Sequence, residues 1–125
     1  MKSIGVAILG LGVVGSGTYK ILTEHREFYR RTQNIDLSVE CVLEINRERA
    51  LALGVEPSRI CGNIAEIVSN PNVDIVVEVI GGVEPAKSFV LAALHSGKTV
   101  VTSNKELFCK YWHCLLYTSP SPRDP

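Results

Sequence analysis

Several features that would assign a chain to a broad class are missing from this 125-residue sequence. Its 13 Lys and Arg residues balance 13 Asp and Glu residues, and the charges are spread out, so nothing indicates a nucleic-acid or anionic-membrane surface. No apolar stretch is long enough to span a bilayer. The four cysteines form no C-x-x-C pair, which favours reduced thiols in a cytosolic protein over a disulfide framework. We therefore expect one cytoplasmic domain with neither a nucleic-acid nor a membrane partner.

A glycine turn near the amino terminus is the most informative part of the sequence. The apolar run Ile4–Leu9 predicts a buried parallel strand, and the pattern G-x-G-x-x-G follows it at residues 10–15. In such a turn Gly10 permits a tight bend, Gly12 lets a pyrophosphate approach the backbone, and Gly15 lets the next helix pack closely. The pattern predicts a dinucleotide site, with an ordinary glycine turn as the alternative.

The segment after the glycines predicts a helix from Val14 to about Glu27. Its apolar face is expected at i, i+4, i+7 and i+8, namely Val14, Thr18, Ile21 and Leu22. Backbone N–H groups at the helix start, those of Val13 and Val14 included, would hold the phosphates with help from the helix dipole. Three basic residues are interpreted as a solvated helix end, with phosphate binding as the less favoured alternative: Arg26, Arg30 and Arg31.

An acidic residue ends the second predicted strand. Alternation over residues 37–44 predicts one apolar face, formed by Leu37, Val39, Cys41 and Leu43. Glu44 is the candidate for hydrogen bonding to the adenosine ribose hydroxyls, and a solvated strand-end carboxylate is the alternative. Its charge would oppose a 2′-phosphate and favour NAD over NADP, whereas nearby Arg47 would favour the reverse. The predicted cofactor is therefore NAD or NADP.

The remaining sequence alternates short strands with helices. The predicted elements are a helix at Asn46–Leu53 capped by Asn46, a strand at Arg59–Gly62, a helix around Ile64–Val68, a strand at Val73–Ile80, a helix from Pro85 that ends before Gly97, and a strand at Thr99–Thr102. His95 falls in the last turn of its helix, where we expect a structural role. The alternation predicts an α/β fold with a doubly wound, Rossmann-like parallel sheet and the strand order 3-2-1-4-5.

Glu78 interrupts the apolar strand Val73–Ile80. Burial of a carboxylate is costly unless it is hydrogen-bonded, so we expect loop amides to donate to it, in a structural rather than a catalytic role. The carboxyl end of this strand faces the crevice where open α/β sheets bind ligands. Gly81 and Gly82 follow, and they would either allow close backbone approach to a ligand or form an ordinary turn.

Three stretches together resemble the nucleotide-binding domain of homoserine dehydrogenases. They are GLGVVGSG at residues 10–17, VVEVIGGVEPAK at residues 76–87 and GKTVVTSNK at residues 97–105. The resemblance covers about residues 4–107, and its second and third stretches are more specific than the first. Homoserine dehydrogenases interconvert L-homoserine and L-aspartate 4-semialdehyde with NAD(P)H, on the route to threonine and methionine.

The resemblance implies roles for residues at the ends of the last two predicted strands. Six residues would lie against the nicotinamide half of the cofactor: Ile80, Gly81, Gly82, Thr102, Ser103 and Asn104. Lys105 would be catalytic, because an ammonium can stabilise or protonate the oxygen that becomes negative when hydride adds to an aldehyde. A solvated lysine at a helix start is the alternative, although a cation there opposes the helix dipole.

The sequence departs from the family pattern at its end. After Leu107 the family continues with the last strands of the sheet and with a substrate-binding, dimer-forming domain. Here three prolines stand among the last six residues, which excludes a helix or central strand, and the tail resembles translated sequencing-adaptor sequence. We expect a partial NAD(P)-binding domain over residues 1–110 and a disordered, non-native tail over 111–125. Cys109, His113 and Cys114 are too crowded and too few to predict a metal site.

The leading hypothesis is a truncated, cofactor-binding fragment of homoserine dehydrogenase that binds dinucleotide weakly at most and is inactive alone. The full-length enzyme would bind a small-molecule substrate and form a homodimer or homotetramer. Two alternatives remain: another NAD(P)-dependent dehydrogenase, which residues 102–105 disfavour, and a non-catalytic NAD(H)-sensing module. The shortened sheet is also expected to expose an apolar edge near Val100, and so to favour self-association.

Overall fold

Parallel strands and helices alternate along the chain. The computed structural model describes residues 1–80 and 85–102. The strands are β1 (Lys2–Leu9), β2 (Ile35–Leu43), β3 (Ile60–Cys61), β4 (Ile75–Glu78) and β5 (Thr99–Thr102). The helices are α1 (Val13–Glu24), α2 (Arg26–Gln33), α3 (Arg47–Leu53), α4 (Ile64–Val68) and α5 (Ala86–His95), and a 3-10 turn at Pro57–Arg59 precedes β3. Within the described ranges, no helix combines the length and the apolarity that crossing a bilayer requires.

The described strands form one parallel sheet in the order β3-β2-β1-β4-β5. This confirms the predicted doubly wound sheet and its strand order. The carboxyl ends of the strands meet at one edge, where Leu9 of β1 is in register with both Leu43 and Glu78. Glu78 is in turn in register with Thr102. Strand ends that are distant in sequence are thereby brought side by side.

Strand β1 is the centre of the core, because both of its faces are covered. Val6 and Ile8 pack into one apolar cluster, which also contains Val42 of β2. Ala7 and Leu9 pack into a second cluster on the opposite face of the sheet. All four β1 residues are at least 97% buried, since none exposes more than 3% of its surface. An apolar run without alternation is what a strand covered on both faces requires.

The predicted second strand is confirmed as β2, but a bulge in it divides the expected single apolar face between the two faces of the sheet. Val6 pairs with Val39 but Ala7 pairs with Cys41, so Glu40 is an extra residue without a partner on β1. A single extra residue reverses the face on which all later side chains lie. Leu37 and Val39 therefore pack in one cluster, whereas Cys41 and Leu43 pack in the other.

The first helical region differs from the predicted single helix in extent. It divides at His25, which caps the carboxyl end of α1 and the amino end of α2. Helix α2 extends helical structure to Gln33, beyond the predicted end near Glu27, and its C-cap residue Asn34 has a left-handed φ of 57°. Helix α2 has no buried residue. A prediction based on the periodicity of apolar residues therefore could not detect it.

The predicted apolar face of α1 is confirmed at Leu22 but is wrong at Val14 and Ile21. Val14 and Ile21 are 56% and 52% exposed, whereas Gly15 is buried and Tyr19 and Leu22 pack against the core. The reason is the close packing of Gly15 on the glycine turn, described below, which fixes the helix rotation. Val14, which precedes that glycine, is then exposed rather than packed on the sheet.

Two of the three basic residues of this region, Arg26 and Arg30, are paired with neighbouring carboxylates. Arg26 Nε lies 2.6 Å from Asp36 Oδ1, and Arg30 Nη1 lies 3.3 Å from Glu27 Oε2. The Arg26 guanidinium lowers the pKa of Asp36 by hydrogen bonding to it. Arg31, in the last turn of α2, is exposed as the interpretation of a solvated helix end requires.

The smaller elements follow the predicted caps closely. Asn46 accepts a hydrogen bond from the Arg49 amide at 3.2 Å, and Gly54 ends α3 with a φ of 99°. His95 lies in the last turn of α5, as predicted. The predicted strands at residues 59–62 and 73–80 are present but shorter, as β3 and β4.

The amino-terminal edge of the sheet is closed by reciprocal hydrogen bonds. The Gly5 amide donates to Asp74 Oδ2 at 2.9 Å, and the Asp74 amide donates to the Gly5 carbonyl at 2.8 Å. A Cβ on Gly5 would lie 1.7 Å from the carbonyl oxygen of Asn72, so glycine is required there. Lys98 also stabilises this edge, since its Nζ donates a hydrogen bond to the Asn70 carbonyl at 2.9 Å.

Two cysteines lie together in the core between β2 and β3. Cys41 is buried, Cys61 is half-buried, and both are free thiols. Burial raises the pKa of the Cys41 thiol to about 12, with the neighbouring Cys61 as a further cause. Burial also raises the pKa of Cys61. Both thiols are therefore protonated and poor nucleophiles at neutral pH.

Candidate functional site: a crevice at the carboxyl edge of the sheet

A crevice of about 440 Å³ opens at the carboxyl edge of the sheet. Ligand sites in proteins typically have volumes of about 300–1,000 Å³. The described residues that line the crevice come from the ends of four strands and from the start of α5: residues 10–12, residues 43–45, Arg49, residues 62–64, Val79, Ile80, Pro85 and Phe89. It lies beside β1, where connections leave the sheet in opposite directions and open α/β sheets bind their ligands.

The glycine turn forms one wall of this crevice. The physical reason for a glycine differs among its three glycine positions. Gly10 has a φ of 96°, a left-handed conformation that favours glycine, and its amide donates to the Leu43 carbonyl at 2.8 Å. A Cβ on Gly15 would lie 1.9 Å from the Gly10 carbonyl oxygen, so Gly15 allows α1 to contact the turn. A Cβ on Gly12 would meet nothing within 4 Å. Gly12 is thus unnecessary for packing, which leaves room beside the backbone for a ligand.

The amino end of α1 faces the crevice without a side-chain cap. Gly12 is the N-cap residue, and it provides no side-chain acceptor for the first amides of the helix. Val13 is 93% exposed, and the first turn contains no acidic residue. Exposed helix-start amides and the positive end of the dipole together make an anion site. The structure therefore places Val13 and Val14 in the exposed first turn of α1, next to Gly12 of the crevice, and their contact with phosphates stays a prediction.

Glu44 lies at the end of β2 and is bonded to the glycine turn. Its Oε1 accepts a hydrogen bond from the Leu11 amide at 2.7 Å, and its Oε2 accepts one from the Asn46 amide at 2.8 Å. The side chain is only 9% exposed. The alternative of a solvated strand-end carboxylate is therefore wrong. Each carboxylate oxygen retains acceptor capacity, since an ionised carboxylate offers about four acceptor sites.

Several residues around Glu44 were missed by the sequence analysis. Arg49 Nη1 lies 4.0 Å from Glu44 Oε1, and Arg49 lines the crevice, whereas Arg47 does not. Ile45 is 98% exposed at the crevice rim. Asn63, which caps α4, lies on the opposite side. Their position in the sequence could have identified them as crevice residues, because each of them follows the end of a predicted strand.

Glu78 bridges the ends of β4 and β5. It is fully buried, with Oε1 accepting from Thr102 Oγ1 at 2.5 Å and Oε2 accepting from the Ile80 amide at 2.8 Å. The predicted hydrogen bond from a loop amide is confirmed. Ile80 lines the crevice, and it contacts the first glycine of the turn, because a Cβ on Gly10 would lie 3.2 Å from Ile80 Cα.

Some predicted site residues lie outside the described ranges. They are Gly81, Gly82, Ser103, Asn104 and Lys105, together with the tail at 111–125 and its Cys109–Cys114 segment. Within residues 1–80 and 85–102, no group of three or more His, Cys, Asp or Glu side chains could hold a metal ion. The structure thus brings together the glycine turn, Glu44, Ile80 and, through Glu78, Thr102.

The sheet order, the glycine turn at the end of the central strand and the uncapped helix start define a Rossmann-type dinucleotide-binding domain. The family profile described as "Homoserine dehydrogenase, NAD binding domain" matches residues 10–121. The chain therefore belongs to the homoserine dehydrogenase family, and it matches the NAD-binding domain of that family.

Individual relatives agree with this assignment. The chain is 37% identical to the homoserine dehydrogenase of Bacillus subtilis over 116 residues, which are 93% of this chain and 27% of that protein. It is 41% identical to the enzyme of Methylobacillus glycogenes over 107 residues, 86% of this chain and 26% of that protein. The chain thus spans about a quarter of the length of these relatives.

Solved structures show the same correspondence in three dimensions. The homoserine dehydrogenase of Thiobacillus denitrificans superimposes with a TM-score of 0.84 and 39% identity, covering 95% of this chain and 27% of that one. That of S. aureus superimposes with a TM-score of 0.83 and 32% identity, covering 95% of this chain and 30% of that one. A levoglucosan dehydrogenase solved with NADH shares the fold at 17% identity, with a TM-score of 0.66 over 82% of this chain and 27% of that one.

Proposed function

We propose that this chain is the cofactor-binding part of a cytoplasmic homoserine dehydrogenase. The complete enzyme interconverts L-homoserine and L-aspartate 4-semialdehyde with NAD or NADP, in the synthesis of threonine and methionine. The observation that carries the proposal is the crevice at the carboxyl edge, bounded by the glycine turn and Glu44, in a chain of this family. The substrate contacts and the homodimer or homotetramer belong to parts of the enzyme beyond this domain.

The pyrophosphate of the dinucleotide lies at the start of α1 in this proposal. The open space beside Gly12 and the exposure of Val13 support it, because both leave the backbone amides accessible to an anion. Gly10 and Gly15 shape the turn from which these amides are presented. The dipole of α1 adds about 0.3–1 kcal/mol, so most of the attraction comes from the converging N–H donors.

Glu44 accepts hydrogen bonds from the adenosine ribose hydroxyls and favours NAD over NADP. Its position at the end of β2 and its remaining acceptor capacity support this role. A 2′-phosphate would approach a carboxylate that the Leu11 and Asn46 amides hold in place. Arg49 lies near Glu44, and its charge reduces this repulsion without removing it.

The other half of the site serves the nicotinamide and the reacting aldehyde. Six residues would adjoin the nicotinamide: Ile80, Gly81, Gly82, Thr102, Ser103 and Asn104. The reduced dinucleotide supplies the hydride when it is bound. Lys105 donates a proton or a hydrogen bond to the aldehyde oxygen, where negative charge develops. Lys105 closely follows Thr102 in sequence, and Thr102 lies at the carboxyl end of β5 in register with Glu78, which supports this assignment.

A titration of the uniformly ¹⁵N-labelled chain with NAD⁺ tests the proposal, because NMR shift changes detect weak binding. We expect saturable shifts of the Gly12, Val13 and Val14 amides, together with the Leu11 amide that bonds to Glu44. Oxidation of homoserine by this chain alone is not expected, since it covers about a quarter of its relatives. Absence of saturable shifts at the glycine turn up to millimolar NAD⁺ would refute dinucleotide binding.

A further inference from the structure

Glu78 is a buried carboxylate stabilised by two hydrogen-bond donors from two different strand ends. Thr102 Oγ1 donates to one oxygen at 2.5 Å, and the Ile80 amide donates to the other at 2.8 Å. No Lys or Arg within residues 1–80 and 85–102 forms an ion pair with this fully buried side chain. Within those ranges its stabilisation therefore depends on these two hydrogen bonds.

The end of β4 is also packed on the glycine turn. A Cβ on Gly10 would lie 3.2 Å from Ile80 Cα and 3.3 Å from the Val79 carbonyl oxygen. A Cβ on Gly15 would lie 3.0 Å from Val79 Cγ2. A displacement of the backbone at residues 79–80 would therefore also displace the glycine turn, because the two segments are closely packed.

An apolar side chain could fill the position of Glu78 without the cost of burying a carboxylate. It could not orient the Ile80 N–H group or the Thr102 hydroxyl, since it accepts no hydrogen bond. The carboxylate therefore serves to orient these two hydrogen-bond donors rather than merely to fill space in the core. It fixes one peptide group of the β4 end and one side chain of the β5 end relative to each other.

We propose that Glu78 is a positioning residue that holds Ile80 and Thr102 in the arrangement that receives the nicotinamide end of the dinucleotide. This inference rests on the proposed function. Glu78 is fully buried, so it acts through its two neighbours and does not touch the ligand. Its loss should therefore weaken the recognition of nicotinamide while the recognition of the adenosine and phosphate groups is retained.

The test compares NAD⁺ with ADP-ribose, which lacks the nicotinamide, as ligands of the 125-residue chain in NMR titrations. Glu78→Met removes both hydrogen bonds at similar side-chain size, and Thr102→Val removes one of them. We expect Thr102→Val to weaken NAD⁺ binding about three- to tenfold, as for the loss of one hydrogen bond, and Glu78→Met to weaken it at least as much. Both variants should change ADP-ribose binding less than twofold.

Conservative variants and a matched control accompany these changes. Glu78→Gln can accept from the Ile80 amide and donate to the Thr102 hydroxyl, and Thr102→Ser retains the hydroxyl, so both should bind NAD⁺ like the unaltered chain. Thr99→Val makes the same substitution at the exposed, opposite end of β5 and should change neither affinity. The Thr102 variants keep the test decisive if Glu78→Met does not fold.

A double variant separates positioning from direct contact. If Thr102 acts only through its bond to Glu78, Glu78→Met with Thr102→Val should weaken NAD⁺ binding no more than the more damaging single change. Equal losses for NAD⁺ and ADP-ribose, or multiplied losses in the double variant, would overturn the inference while dinucleotide binding stands. An unaltered chain that binds neither ligand would refute the proposed function itself, and the inference with it.

Discussion

The backbone amide of Leu11 and the carboxylate of Glu44 form a hydrogen bond of 2.7 Å, although 33 residues separate them in sequence. One belongs to the glycine turn and the other ends β2. The bond fixes the glycine turn against the second strand, and the same carboxylate also accepts from the Asn46 amide. Glu44 therefore organises the crevice before any ligand arrives, in addition to its proposed contact with ribose.

Glu44→Gln should shift the cofactor preference of the chain toward NADP. The amide side chain is neutral, so it removes the repulsion that a 2′-phosphate experiences, while its oxygen can still accept from the Leu11 amide. We expect the ratio of the NADP⁺ and NAD⁺ dissociation constants to fall about tenfold, equivalent to about 1.4 kcal/mol. Parallel titrations with the two dinucleotides measure this ratio.

The control for charge is Glu48→Gln, because Glu48 is exposed in the first turn of α3 and does not line the crevice. The ratio of the NADP⁺ and NAD⁺ dissociation constants of this control should match that of the unaltered chain. An unchanged ratio in Glu44→Gln would show that this carboxylate does not discriminate between the dinucleotides.

Gly12→Ala should impair ligand binding without impairing folding. The added Cβ meets no atom within 4 Å, and Gly12 has a φ of −70° that alanine adopts readily. The methyl group would occupy the space that the pyrophosphate is proposed to fill. We expect a loss of stability of no more than about 1 kcal/mol, because alanine is a poorer N-cap residue than glycine, and a loss of NAD⁺ affinity of at least about tenfold. Undiminished affinity would place the phosphates elsewhere.

Gly15→Ala and Gly17→Ala should have opposite effects on stability. A Cβ at Gly15 would lie 1.9 Å from the Gly10 carbonyl oxygen, which forces α1 away from the turn and destabilises the fold by about 3 kcal/mol. A Cβ at Gly17 meets nothing within 4 Å, so the helix preference of alanine should stabilise the fold by about 0.5–1 kcal/mol. Urea unfolding monitored by circular dichroism measures both. Similar effects of the two changes would contradict the described packing of α1.

Stability should fall with rising pH in the alkaline range because of Cys41. Burial raises its pKa to about 12 in the folded chain, whereas a thiol in the unfolded chain ionises near pH 8.5. The folded pKa is the higher one, so the contribution is fully present below about pH 8.5 and is lost as the pH rises toward 12. We expect Cys41→Ala to flatten the decline by up to about 1.4 kcal/mol per pH unit between pH 9 and 10.5.

Urea unfolding at several pH values provides the measurement, and only the slope is compared, since the substitution also removes packing. Identical slopes for the two chains would show that Cys41 ionises as readily in the folded state as in the unfolded one.

Much of the fold could be predicted from the sequence, because its signals were local. The glycine turn, the cap at Asn46 and the order of the strands depend on patterns within one element or on a general rule of handedness. The bulge at Glu40 could not be predicted, since it is defined by pairing with β1 and leaves the residue types of β2 unchanged. The rotation of α1 was likewise fixed by a distant contact, that of Gly15 with Gly10.

The candidate site was predictable to a similar extent. The sequence located Glu44 and Glu78 at strand ends, but it left the surroundings of Glu44 open between ribose binding and solvation. Only the folded chain shows that the Leu11 amide occupies one oxygen of Glu44 and that Thr102 bonds to Glu78. Long-range hydrogen bonds have no periodicity or composition by which they could be recognised. The roles of residues 103–105 remain predictions, because they lie outside the described ranges.

The central position of β1 has a consequence for how the domain assembles. On one side β1 pairs with β2, as Lys2 does with Ile35, and on the other it pairs with β4, as Val6 does with Ile75, which is about twice as far along the chain. Doubling the length of a closed loop adds only about 0.6 kcal/mol of chain entropy, so the longer closure is scarcely harder than the shorter. The half of the crevice beside β2 and the half beside β4 therefore both depend on pairing with β1. A substitution that disrupts β1 would disrupt both halves together.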